Sequence, residues 1–207
     1  MDASAWDERY SQSDLVWGVP PNAVLVEQAT SLPRGCALDL ACGEGRNALW
    51  LATRGWKVTG LDYSVVALDK AARVAAEAPR SVRERLDYRV ADVTGADLGG
   101  EYNLVLMIYL HLAPTERLQV VNRAISALKP DGILMILGHD AVNPTQEVGG
   151  PQDPEIFYTP DDLVASVKGK LEVDVAERRY RETDAGTAID ALVVAHRPGL
   201  GSQENGA

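Results

Sequence analysis

The sequence predicts an α/β fold in which a mostly parallel sheet is wound through helical crossovers. Two observations carry this. Short β-type apolar runs alternate with helical patterns from residue 36 to residue 196, and the last two runs have no convincing helix between them. Parallel neighbours need a long crossover, whereas antiparallel neighbours need only a turn, so the final pair reads as a hairpin added to a parallel sheet.

The elements follow in order. Residues 1–30 are a polar stretch carrying Trp6, Tyr10 and Trp17, closed by a short helix from about Asn22 to Ala29; this stretch is expected to cover a site. Seven strands are expected, at Ala37 to Leu40, Lys57 to Leu61, Asp87 to Val90, Asn103 to Ile108, Ile133 to Gly138, Leu171 to Arg178 and Ala188 to His196. Helices are expected at Arg46 to Thr53, Val65 to Glu77, Pro114 to Leu128 and Pro160 to Val167. Ser64 and Thr159 stand at N-cap positions, and Pro160, Asp161 and Asp162 suit the first turn of a helix. The connection from His139 to Tyr158 holds Pro144, Gly149, Gly150, Pro151 and Pro154 without periodicity. Loops of that length in compact domains usually serve as lids or binding loops. Residues 1–197 are expected to form one domain and residues 198–207 a disordered tail.

Composition narrows the function. A chain of 207 residues with 46% apolar content can bury one good core. Its 20 basic residues stand against 30 acidic ones, a net charge of -10, so phosphate backbones and anionic membranes are repelled over most of the surface. A small-molecule substrate is expected, with no nucleic-acid or membrane partner, from a monomer or homodimer. Cys36 and Cys42, on and just after one strand, suit a reducing cytosol better than a disulfide. Met1 to Tyr10 is polar and acidic, unlike a signal peptide, and the apolar runs are too short to span a membrane. A cytoplasmic location is expected. Three scattered histidines and two cysteines offer no zinc spacing, so no metal is expected.

The strongest motif is Leu38-Asp39-Leu40-Ala41-Cys42-Gly43-Glu44-Gly45-Arg46-Asn47, a strand that ends in small residues and opens a helix. Gly43 and Gly45 let backbone approach a ligand, and the helix N-terminus offers free amides to an anionic group. Asp62 ends the next strand, where a carboxylate can accept both ribose hydroxyls. Asp92 ends the third strand, where it can accept from an adenine amino group. Gly43, Gly45 and Ala48 also fit the spacing of a nicotinamide-dinucleotide fingerprint, so an NAD(P)-dependent oxidoreductase is an alternative. Asp39 and Asp92 favour a different cofactor: an acid inside the first strand can hold the ammonium of a methionine moiety, while a dinucleotide site keeps that strand apolar.

With these residues the chain resembles the class I S-adenosylmethionine-dependent methyltransferases over roughly residues 5–196. Asp39 to Gly45 match their first motif, Asp62 their ribose acid, Asp92 their adenine-side acid and Tyr102 to Leu112 their fourth-strand segment. Trp6-Asp7-Glu8-Arg9-Tyr10, Gly43 to Asn47 and Gly149-Gly150-Pro151 are similar to the small bacterial branch near the tellurite-resistance and thiopurine methyltransferases. Ala41 departs from the pattern, since many members carry glycine there, and so does the lack of a histidine between Arg178 and Asp190. The resemblance implies a three-layer, Rossmann-like seven-stranded sheet of order 3-2-1-4-5-7-6 with the last strand antiparallel. It also implies S-adenosylmethionine as cofactor, with S-adenosylhomocysteine as product, and in-line methyl transfer to a thiol, a chalcogen oxyanion or a phenol-like acceptor. The expected cofactor residues are Asp39, Ala41, Cys42, Gly43, Gly45, Arg46, Asn47, Asp62, Tyr63, Ser64, Ala91, Asp92, Val93 and Ile108.

Acceptor residues are expected at the end of the fourth strand. His111 is the candidate base, able to titrate near neutral pH, and Tyr109 lines the acceptor pocket. Tyr10, Trp17, His139 and Gly150 are further candidates for substrate contact. A protein that binds the cofactor for regulation, without turnover, is the second alternative.

Overall fold

The computed structural model describes residues 3–142, 153–183 and 186–199. Seven strands lie in the order β3-β2-β1-β4-β5-β7-β6. The chain divides into two compact units, Met1–Asp97 and Leu98–Ala207.

In the first unit, β1 (Cys36–Leu40) pairs in parallel with β2 (Lys57–Asp62), which pairs in parallel with β3 (Leu86–Val90). Ala37, Leu38 and Leu40 are fully buried, as both faces of a parallel strand are covered. Helix α3 (Arg46–Thr53) buries Ala48, Leu51 and Ala52, the i, i+3, i+4 stripe of an amphipathic helix. Helix α4 (Val65–Ala76) starts at Ser64, whose side chain accepts from the Ala67 amide. Helix α2 (Ala23–Ala29) is capped by Asn22. Two helices were not expected. One is the short α5 (Arg80–Arg83); the other is α1 (Ala3–Ser11), in the stretch read as merely polar. The sequence did carry its signal: Trp6 and Tyr10 stand four apart, and their rings meet at 5.5 Å.

In the second unit, β4 (Tyr102–Ile108) runs parallel to β5 (Leu128–His139), and β7 (Gly186–His196) pairs antiparallel with both β5 and β6 (Glu172–Thr183). Helix α6 (Pro114–Ala127) opens on a proline. Helix α7 (Pro160–Val167) opens on a reciprocal Thr159–Asp162 capping box. The hairpin strands outrun their expected bounds: the charged run Glu177 to Glu182 continues the ladder because strand pairing, not burial, holds it. Much of the expected lid, and residues 200–207 of the expected tail, lie outside the described residues. Among the described residues no helix is long and apolar enough to cross a membrane.

Candidate functional site

Two polar clusters stand at the carboxyl ends of strands, the end at which open α/β sheets bind ligands. The first is built from the turn between β1 and α3. Asp39 is 1% exposed, yet its Oδ2 has no hydrogen-bond partner. Burial first, and then the Asp62 charge, push its carboxyl up to about 7; the Arg46 charge and a bond from the Ala48 amide oppose the rise. A buried carboxylate oxygen without a donor costs free energy, so it fits a ligand that brings one, such as an ammonium. Asp62, also buried, accepts the Gly43 amide at 2.8 Å on Oδ2 and the Ser64 amide at 2.9 Å on Oδ1. Burial raises its pKa against those bonds. This pairing joins the end of β2 to the glycine turn.

The turn itself is left-handed at Ala41 (φ 55°), Gly43 (φ 54°) and Gly45 (φ 75°). The alanine methyl is accommodated, but in a backbone conformation where glycine is strain-free. Gly45 corrects the simple view that both glycines serve ligand approach. A Cβ there would collide with the Tyr88 hydroxyl and lie 2.9 Å from Ala71 Cβ, so Tyr88 on β3 and helix α4 demand the glycine. Cys42 is buried, and burial raises its thiol pKa.

The remaining expected cofactor residues fall as follows. Arg46 Nη1 donates to the Trp17 carbonyl at 3.1 Å, and Asn47 Oδ1 accepts the Asn22 amide at 2.9 Å. Asp92 is exposed, and its Oδ1 accepts from the amide and hydroxyl of Thr94 in a local turn. Ala91 donates its amide to the Asp62 carbonyl, Val93 is buried, and Tyr63 is half-buried. Tyr10 is buried with its hydroxyl over Gly43, where a Cβ would come within 2.8 Å; Trp17, more exposed, donates to that hydroxyl at 3.3 Å.

The second cluster lies in the other unit, where β4 ends in Ile108 and Tyr109 takes a positive φ of 57°. Asp190 of β7 is the register partner of His139 on β5, and cross-strand partners share a face. His139 Nδ1 lies 3.2 Å from Asp190 Oδ1, while Asp190 Oδ2 accepts from the Tyr109 hydroxyl at 2.7 Å and from Arg181 Nε at 3.0 Å. Burial opposes ionisation of Asp190, but bonds from His139, Arg181 and Tyr109 outweigh it and hold the carboxyl below its usual range. Beside it, fully buried Asp140 accepts Arg178 Nε and the Val142 amide, each at 2.9 Å.

His111 requires a correction as the base. Its Nε2 accepts the His139 amide at 3.0 Å. Burial first, then the His139 charge, bring its pKa down to about 3. With Nε2 already holding that amide, such an imidazole is too weak a base to take a substrate proton. Its ring stacks on that of His139, with the centroids 5.1 Å apart. Gly150 lies outside the described residues. Asp190 and Asp140 escaped the sequence reading, although Asp190 sits in the apolar strand Ala188 to His196, the same anomaly that singled out Asp39. Among the described residues no group of three or more metal-ligating side chains converges.

Comparison with known proteins gives the family. Residues 37–132 match the model of a methyltransferase domain. The chain is 27% identical over 189 residues to thiocyanate methyltransferase 1 of Brassica oleracea, covering 87% of this chain and 79% of that one. It is 30% identical over 153 residues to the 2-heptyl-1-hydroxyquinolin-4(1H)-one methyltransferase of Mycobacteroides abscessus, covering 67% and 64%. Among solved structures, the glycopeptide N-methyltransferase MtfA in complex with S-adenosylhomocysteine superposes with a TM-score of 0.68 at 22% identity, over 87% of this chain and 88% of that one. These matches set aside the oxidoreductase and non-catalytic alternatives, and with the strand order they show that the chain belongs to the class I S-adenosylmethionine-dependent methyltransferases.

Proposed function

We propose that this enzyme methylates a small molecule at a protic atom, a hydroxyl or thiol, using His139 oriented by Asp190 to accept the proton. The observation that carries the reading is the buried Asp190 carboxylate, which holds His139 on one oxygen and Tyr109 and Arg181 on the other. S-adenosylmethionine, when bound, supplies an electrophilic methyl group on a sulfonium. Asp39 is proposed to hold its ammonium, Asp62 its ribose hydroxyls, and the 43–47 turn to pass against it; the unpartnered Oδ2 of Asp39 supports that fit.

Asp190, facing Nδ1 of His139, fixes the ring and stabilises the positive charge that the acceptor's proton brings to it. Arg181 and Tyr109 keep Asp190 ionised, so the pair is ready before the acceptor arrives. Phenol-like hydroxyls, N-hydroxyl groups and thiols gain from such a base. A chalcogen oxyanion or a simple anion does not, since it has no proton to lose. The mycobacterial relative, named for a 1-hydroxyquinolone, offers a probe of the first kind, and the Brassica relative one of the second.

The test is to assay the wild type and His139→Gln with a 1-hydroxyquinolin-4-one and with thiocyanate. The variant should lose about 100-fold or more in kcat/KM on the hydroxyl, as expected for removing a general base, and little on the anion. Equal losses on both acceptors would assign His139 to positioning and remove the preference for protic acceptors.

A further inference from the structure

The polar contacts of the amino-terminal segment converge on a few residues. Ser64, the N-cap of α4, donates its hydroxyl to Asp7; Arg46 donates to the Trp17 carbonyl; the Asn22 amide donates to Asn47. Glu44, the residue between the two left-handed glycines, is 4% exposed and accepts the Val16 amide at 3.0 and 2.9 Å and the Trp17 amide at 3.1 Å. Lys70 of α4, 5% exposed, donates to the carbonyls of Tyr10 and Ser13 and stands 3.4 Å from Glu44.

A buried ion pair seldom stabilises a fold more than apolar side chains of the same volume would. Here both charges are spent on the main chain of one segment, residues 10–17, which past Ser11 forms neither helix nor strand. Backbone groups there have no ladder to join, and Glu44 and Lys70 satisfy them. Their effect is to fix where this segment lies: across the glycine turn, with the Tyr10 hydroxyl over Gly43.

We infer that Glu44, with Lys70, is the positioning residue of a latch that holds the amino-terminal segment closed over the cofactor turn, so that cofactor exchange requires the segment to release. The inference rests on the reading of the 39–47 turn as the cofactor site. Neither side chain is assigned a contact with the cofactor; both act through the segment. Losing the ionised acceptor of the Val16 and Trp17 amides removes charge-assisted bonds, whose usual worth corresponds to a tenfold to hundredfold effect on opening.

The experiment uses the full chain with S-adenosylhomocysteine as the probe, comparing wild type, Glu44→Gln, Lys70→Met and the double variant. Amide hydrogen exchange of residues 3–22 and the ligand dissociation rate by stopped-flow fluorescence are read on each, with Tm as a check on folding. In the wild type the ligand should slow exchange across the segment. Each single variant should speed exchange there and raise the dissociation rate by about tenfold or more, and the double variant should do no more than the stronger single one. If exchange rises but dissociation does not change, or dissociation changes without any change in the segment, the latch is overturned while the cofactor reading stands. If the wild type does not bind S-adenosylhomocysteine, the cofactor reading fails and the latch falls with it. Should Glu44→Gln fail to fold, Lys70→Met reads the same latch from its other side.

Discussion

Replacing Asp39 by asparagine should stabilise the protein while weakening its grip on the cofactor. The carboxyl is raised from 3.8 to about 7 in the folded protein, by burial first and by Asp62 second. An acid whose folded pKa lies above its unfolded value costs nothing below the unfolded value. Its penalty grows as pH rises through the window from 3.8 to about 7 and is complete above it. Roughly three units at 1.36 kcal/mol each give a penalty of about 4 kcal/mol at pH 8, an upper bound. Asparagine carries no charge but leaves an amide near the unpartnered Oδ2 position, at a cost of about 1 to 3 kcal/mol. The net gain is about 1 to 3 kcal/mol, or roughly 3 to 10 °C in Tm for a chain of this size. Thermal unfolding without cofactor, at pH 8 and pH 5, measures it: the gain should be largest at pH 8 and shrink toward pH 5. Calorimetric titration of the same variant with S-adenosylhomocysteine should show at least about tenfold weaker binding, a trade of function for stability. A variant less stable than wild type at pH 8, or a gain equal at both pH values, refutes the argument that the carboxylate is buried in anticipation of a cation.

Asp62→Ala should weaken S-adenosylhomocysteine binding more than tenfold. It should also lower stability by about 1 to 3 kcal/mol, because the Gly43 and Ser64 amides lose their acceptor; unchanged affinity would remove Asp62 from the site. Ala41→Gly should raise stability by up to about 1 kcal/mol in urea denaturation, since relief of the left-handed strain at φ 55° exceeds the added chain entropy. A loss of stability there would mean that the methyl packs better than its backbone suffers.

The glycine turn shows how local information suffices. Its strand is an apolar run, its helix has a 3.6-residue stripe, and the residues between are small, so β1, the turn and α3 were legible at nearly their observed bounds. Ser64 and Thr159 were legible as caps for the same reason, because a cap and its amide lie within three residues. The roles inside the turn were less so. Gly45 is demanded by Tyr88, 43 residues away, and Asn47 Oδ1 accepts the Asn22 amide, 25 residues away.

By itself, then, the sequence determined the order of the strands and of every helix but α1 and α5, the antiparallel ending, and the acids that close β1, β2 and β3. Each of these is written in periodicity, capping and residue size over a few neighbours. Only the tertiary structure decided what each histidine meets. His111 and His139 look alike in sequence, but β5–β7 register sets His139 opposite Asp190, 51 residues away, whereas His111 is buried with its Nε2 on the His139 amide. Cross-strand register and desolvation are properties of the assembled sheet, and no window along the chain contains them.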